Sequence, residues 1–274
     1  MSIVMHLSDL HFGTESPPVL DALTRQLAEL SPEVVVISGD LTQRARRREF
    51  RAARRFIDAV DAAGAAVVLV PGNHDIPLFN PFARLLWPFR RYRSVIGGTA
   101  VDTRWVNDLQ FITVNSVRRE RHASGYITAE RRRQVVEQAR RQSGAKLTIV
   151  VTHHPLGTMS AEEEEAAHQG DVRTCRAWHE AGVNLVMSGH VHRPFLLDAT
   201  EQLLGGENRS GRPLWILNAG TAVSHRVRDN YPNSFNLLDF RHGEDGWFMD
   251  VERWDYASLA SGFEMKTRRM VSLG

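Results

Sequence analysis

Five short apolar runs in this sequence, at 3–7, 34–37, 65–70, 147–151 and 184–187, each end in a polar cluster drawn from the same few side chains. The exits read Ser8-Asp9-Leu10-His11, Ser38-Gly39-Asp40, Pro71-Gly72-Asn73-His74-Asp75, Thr152-His153-His154 and Ser188-Gly189-His190-Val191-His192. Runs this short and apolar, bounded by glycine and polar punctuation, read as strands buried on both faces, as does a sixth at 111–114. Helical patterns fall between them at 19–30, 47–63, 128–141 and 173–181, the third opened by a capping pair, Thr128 and Glu130. Strand alternating with helix predicts a layered α/β domain. Ligands in an open α/β sheet bind beyond the carboxyl ends of the strands, so the five exits are expected to converge on one crevice.

The side chains at these exits are oxygen and nitrogen donors of the kind that hold Zn, Mn or Fe. Cys175 is the only cysteine, which excludes an internal disulfide and a thiolate cluster made by one chain. Two carboxylates, one amide oxygen and four imidazoles suffice for two ions: Asp9, His11, Asp40, Asn73, one of His153 and His154, His190 and His192. Asp9 and His11, like His190 and His192, stand two apart and project to one side of an extended segment. Gly39, Gly72 and Gly189 precede ligand positions, where a missing Cβ permits a sharp turn or close approach. Two cations about 3.5–4 Å apart can activate a water and clamp the attacking and leaving oxygens of an in-line displacement. Hydrolysis of a phosphate ester is the expected use, with Asp40, central in chain order, as the bridging carboxylate.

At these residues the sequence resembles the calcineurin-like metallophosphoesterases, whose motifs appear in family order as Asp9-x-His11, Gly39-Asp40, Gly72-Asn73-His74-Asp75, His153 and Gly189-His190-x-His192. Five ordered motifs, each after a strand, make a specific signal. The resemblance implies a four-layer αββα sandwich with two mixed β-sheets. It implies one ion held by Asp9, His11, Asp40 and His192, and another by Asp40, Asn73, His153 and His190. Asp40 and His74 would be the catalytic pair, with His74 facing the leaving group as a general acid oriented by Asp75. Asn73, His74, His154 and Arg44 would contact substrate. The resemblance prefers His153 over His154 as a ligand, and strand alternation puts His154 on the other face. One departure stands out: protein phosphatases of this superfamily carry an acidic residue three positions after the Asp40 equivalent, where this chain has Gln43. Arg44, beside it, falls where those phosphatases use an arginine on phosphate, and it equally suits a helix surface among Arg46, Arg47 and Arg48.

The nearest resemblance in type is to bacterial cyclic-nucleotide (class III) phosphodiesterases, which implies a small-molecule phosphodiester as partner and two divalent ions, Mn or Fe before Zn. The alternatives are a UDP-sugar-lipid pyrophosphatase using an apolar groove of Phe79, Phe82, Leu85, Leu86, Trp87 and Phe89, a phosphomonoesterase, and a scaffold without catalysis. A formal charge of +2 gives no electrostatic case for nucleic acid, although all basic residues but Lys146 and Lys266 are arginine. No signal or membrane-spanning pattern is visible, so a cytoplasmic location without a membrane span is expected, with a homo-oligomer open. The segment after His192 reads as β-rich at 195–199, 214–218, 234–240 and 247–254. Residues 1–258 are expected as one metallophosphoesterase domain and 259–274 as a C-terminal extension. Residues 76–105 and 157–171, the latter with four consecutive glutamates at 162–165, read as loops or short helices beside the site. His6 and His179 read as structural, and His122, His168, His225 and His242 receive no role. Asn115, Ser116 and residues 218–221 end further strands and are candidates to line the pocket.

Overall fold

The computed structural model describes residues 2–98, 101–121, 123–141, 146–158, 171–206, 211–228 and 230–274. Most of the segment 157–171, with its glutamate run, and His122 and His168 lie outside them. The described chain runs β1 (Ser2–Leu7), α1 (Pro17–Leu30), β2 (Val34–Ile37), α2 (Arg47–Ala62), β3 (Ala66–Leu69), a 3-10 turn (Asn73–Asp75), α3 (Pro81–Leu86), α4 (Arg90–Val95), β4 (Asp102–Val106), β5 (Leu109–Thr113), α5 (Ala129–Arg140) and β6 (Leu147–Val151). It continues with α6 (Asp171–Glu180), β7 (Leu185–Ser188), β8 (Phe195–Asp198), α7 (Ala199–Gln202), β9 (Trp215–Asn218), β10 (Ser234–Gly243), β11 (Gly246–Ser258) and β12 (Gly262–Ser272).

Two six-stranded mixed sheets result, ordered β12-β11-β10-β1-β2-β3 and β4-β5-β6-β7-β9-β8. β1, β2 and β3 are parallel in the first, and β5, β6, β7 and β9 in the second. The apolar runs bury both faces, and alternate residues serve different layers. Val4, Val34, Val36 and Val68 meet Phe111, Ile149, Val151, Leu185 and Met187 between the sheets. Met5, Leu7, Val35 and Ile37 face α1 and α2 through Leu23, Phe50, Phe56 and Ile57. Ile112, Val150, Val186 and Ile216 face α5 and α6 through Val135, Cys175 and Trp178. The architecture is therefore the four-layer αββα sandwich implied by the motifs. Thr128 caps α5 as expected, its hydroxyl accepting from Arg131 N at 3.1 Å. Residues 259–274, expected as an extension, contain β12, which pairs with β11 along most of its length. No helix among the described residues is long and apolar enough to cross a membrane.

Candidate functional site

The parallel strands bring their carboxyl ends to one edge of the sandwich. β1, β2 and β3 deliver the first three polar exits from one sheet, and β6 and β7 deliver the other two from the second. Backbone hydrogen bonds knit these exits together: Asp9 N donates to Gly39 O at 3.1 Å, His11 N to Asp40 O at 2.9 Å, and Gly189 N to His153 O at 3.0 Å. The turns needed to aim side chains inward put Asp9 (φ 52°), His11 (44°), Asp40 (51°), His190 (73°) and His192 (56°) in the left-handed region. Such a conformation costs a non-glycine residue about 1–2 kcal/mol. Its concentration in five expected ligands marks a place where geometry is held against local preference.

Within the cluster, His192 Nε2 lies 3.1 Å from Asp9 Oδ1 and 3.2 Å from His11 Nε2. His11 Nε2 is 3.6 Å from both Asp9 Oδ1 and Asp40 Oδ2. The other Asp40 oxygen, Oδ1, is 3.5 Å from His153 Nε2, which is itself 3.0 Å from Asn73 Oδ1. Asp40 thus turns one oxygen toward each of two donor groups. His190 joins the second group, its ring centroid 5.0 Å from that of His153, and its backbone N–H donates to Asp9 Oδ2 at 2.9 Å. Imidazole orientation is set from behind: His153 Nδ1 donates to Ser38 O at 2.8 Å and His192 Nδ1 to Arg226 O at 2.6 Å, leaving Nε2 of each aimed inward.

The electrostatics ask for positive charge. Asp9 and Asp40 are fully buried, and burial alone would raise a carboxyl; His192 beside Asp9, and His153 and His74 beside Asp40, outweigh it and hold both below the usual carboxylate range. Burial pulls His153 down, but Asp40 and Asp9 draw a proton onto it and raise it to about 9. Burial takes His11 and His190 the other way, to about 3. Two buried carboxylates and inward-facing imidazole nitrogens, two of them 3.2 Å apart, are stable only with cations or protons between them. The residues assemble into groups of potential ligands, Asp9 with His11 and His192, Asp9 with Asp40 and His153, and His153 with His154 and His190, whose donor atoms lie within 4.8 Å of one another. This oxygen and nitrogen set fits a pair of divalent ions.

The sequence model of the calcineurin-like phosphoesterases matches residues 3–194. This chain belongs to the calcineurin-like phosphoesterase family. Comparison with curated proteins finds no match. Among solved structures the chain is similar to a purple acid phosphatase from yellow lupin (Lupinus luteus), at 12% identity and a TM-score of 0.68, over 99% of this chain and 53% of that one. It is also similar to a dimetal phosphatase from Danio rerio, at 13% identity and 0.64, over 100% and 99% of the two chains. Vps29 from Chaetomium thermophilum gives 12% and 0.52, over 100% and 96%. The chain spans about half the length of the lupin protein, and at these identities the likeness is one of fold.

The remaining expected residues fall in different places. His74 sits beside the cluster, its ring 4.9 Å from that of His11, and its Nδ1 donates to the backbone carbonyl of Gln43 at 2.9 Å. The Asp75 carboxylate, expected to orient His74, accepts instead from Leu41 N, Thr42 N, Thr42 Oγ1 and Gly72 N, tying the β2 and β3 exits together. Burial and the Asp40 charge push Asp75 up to about 7 against these donors. His154 lies behind His153 and His190, with Nδ1 2.8 Å from Ser116 Oγ, so the β5 exit does contribute to the site. Arg44 is exposed, and its guanidinium covers the Phe79 ring at 5.2 Å. The guanidinium that reaches His74 belongs to Arg226, with Nη1 3.0 Å from His74 Nε2, and sequence reasoning did not single it out. The signal was the β9 exit, at residues 218–221: following that loop a few residues further leads to Arg226.

Proposed function

We propose that this chain is a dinuclear metal-dependent phosphodiesterase acting on a small, cyclic-nucleotide-like diester. The observation that carries the reading is Asp40, buried between His11 and His153 with an oxygen 3.6 Å from one and another 3.5 Å from the other. Asp9, His11, Asp40 and His192 would hold one ion, and Asp40, Asn73, His153 and His190 the second. Bound there, the pair would supply Lewis-acid charge stabilisation and an activated water. His74, with Nδ1–H held by the Gln43 carbonyl, would as the imidazolium give its Nε2 proton to the departing oxygen and be left as the neutral Nδ1–H tautomer. A diester carries one negative charge and needs fewer cationic contacts than a dianionic monoester. The test is turnover of bis-p-nitrophenyl phosphate against p-nitrophenyl phosphate by Mn-loaded protein. Diester preference is expected, and monoester preference rejects the assignment.

A second reading is favoured by the 79–87 segment, which follows closely on His74. Phe79 and Phe82 are 72% and 78% exposed, and Leu85, Leu86 and Trp87 are exposed with them, while Phe89 packs on the core. An apolar surface of this kind suits a nucleotide-linked lipid whose pyrophosphate enters the site. Hydrolysis of such a lipid that depends on detergent micelles, together with weak turnover of soluble diesters, would favour this reading over the first.

A further inference from the structure

The segment after β9 returns across the site and is fixed on both sides. Ala222 N donates to Ser8 O at 3.0 Å, Ser16 N to Val223 O at 2.8 Å, and His225 N to Thr14 O at 3.0 Å, which ties it to the 8–16 segment between β1 and α1. Asn233 Nδ2 donates to Ser224 O at 2.8 Å, and Ser234 N donates to Thr221 O at 3.0 Å. Arg226 N donates to Ser224 Oγ at 3.2 Å, and its carbonyl accepts from His192 Nδ1 and from Thr221 Oγ1. The Arg226 backbone is therefore part of the support for an inward-facing imidazole, and its side chain starts from a fixed point.

That side chain is half-buried and runs to the Gln43–His74 corner, with Nη1 3.0 Å from His74 Nε2 and 3.4 Å from Gln43 Oε1. Gln43 Oε1 also accepts from Thr14 Oγ1 at 3.5 Å. Among the described residues no carboxylate pairs with this guanidinium. Gln43 stands where an acidic residue would have been an isosteric partner within reach. An amide oxygen orients a guanidinium without cancelling its charge, so the positive charge stays directed at whatever occupies the space next to His74. A guanidinium is a planar fork of five N–H donors that matches the geometry of phosphoryl oxygens.

The geometry points to Arg226 as a phosphate-binding residue: its guanidinium, next to His74, offers its N–H groups to a non-bridging phosphoryl oxygen of the substrate, and Gln43 aims it without cancelling its charge. The identity of the anion rests on the phosphoesterase reading, whereas the existence of an anion subsite rests on the geometry alone. Because the loop is braced before substrate arrives, little ordering is left to occur on binding.

The experiment uses Mn-loaded protein, with inorganic phosphate as the probe followed by isothermal titration calorimetry and metal content measured in the same samples. Arg226→Met is expected to weaken phosphate binding at least tenfold with metal content unchanged, and Arg226→Lys, which keeps the charge but loses the fork, to fall between. In turnover the loss is expected mainly in KM. Phosphate affinity within twofold of wild type in Arg226→Met overturns the subsite. Loss of metal from both variants also overturns it, because the residue would then act only by bracing His192. Weakened phosphate binding by Arg226→Met in a wild-type background that hydrolyses neither ester would uphold the subsite and reject the phosphoesterase reading.

Discussion

Gly39 tests whether the packing of the strand exits sets the position of the catalytic groups. Its φ is +102°, and a Cβ there would stand 2.7 Å from Cγ and 2.9 Å from Cβ of His153, closer still to Nδ1. Gly64, at the end of α2, provides a matched control, with φ +89° and nothing within 4 Å of the same added atom. Gly64→Ala therefore reports the backbone term alone, about 1–2 kcal/mol. Gly39→Ala carries that term, forces the imidazole back by roughly 1 Å to reach van der Waals contact, and breaks the His153–Ser38 hydrogen bond, worth about 1 kcal/mol. With overpacking of about 1–3 kcal/mol added, the total is about 3–6 kcal/mol. A 1 Å displacement of a positioned group lowers rate on the order of 100-fold. Urea unfolding and Mn-dependent diester turnover of both variants read these quantities. Gly64→Ala should keep its turnover and Gly39→Ala should lose it. Equal stability and equal turnover in the two would refute the argument that loop packing places His153.

Two further outcomes follow from named groups. His6 is buried with Nε2 2.9 Å from Ser38 Oγ, and burial lowers it from 6.5 to about 3. The folded chain keeps it neutral while the unfolded chain protonates below 6.5, so it contributes nothing to the pH dependence above that value. Below it, stability falls by up to about 1.4 kcal/mol per pH unit, reaching about 2 kcal/mol near pH 5. His6→Gln should remove that component, seen as a shallower fall of unfolding free energy between pH 6.5 and 5 than in wild type; parallel curves would contradict it. His74→Gln should lower kcat roughly 100-fold or more for diesters with poor leaving groups, far less for nitrophenyl esters, and leave metal content intact. An equal loss on both substrates would argue against proton delivery by this residue.

The site was more legible than the fold's edges. Fully buried strands such as β2 and β7 announce themselves as apolar runs, and their polar exits carry the ligands, so residues from five distant stretches could be grouped without coordinates. β4 and β12 were not visible as strands because both lie at sheet edges: Asp102–Val106 is largely exposed, and so are most of Glu264–Arg269 and Met270, leaving no apolar run or clean alternation to read. The positive φ angles at Asp9, His11, Asp40, His190 and His192 were equally hidden, since turn geometry at a non-glycine residue is imposed by tertiary packing. Gln43 was noticed as a departure, but its partner was not, because the contact joins residues separated by 183 positions. Chain order says nothing about such a meeting; only the return of the 219–228 segment over β1 brings it about.

The central claim is that Asp40 joins two cation sites. The most direct test is metal content per chain, by inductively coupled plasma mass spectrometry, of Mn-reconstituted wild type and Asp40→Ala, with diester turnover measured on the same samples. The account predicts two equivalents and turnover for wild type, against fewer than one equivalent and no measurable turnover for the variant. An Asp40→Ala protein that holds two ions and turns over substrate at the wild-type rate would contradict it.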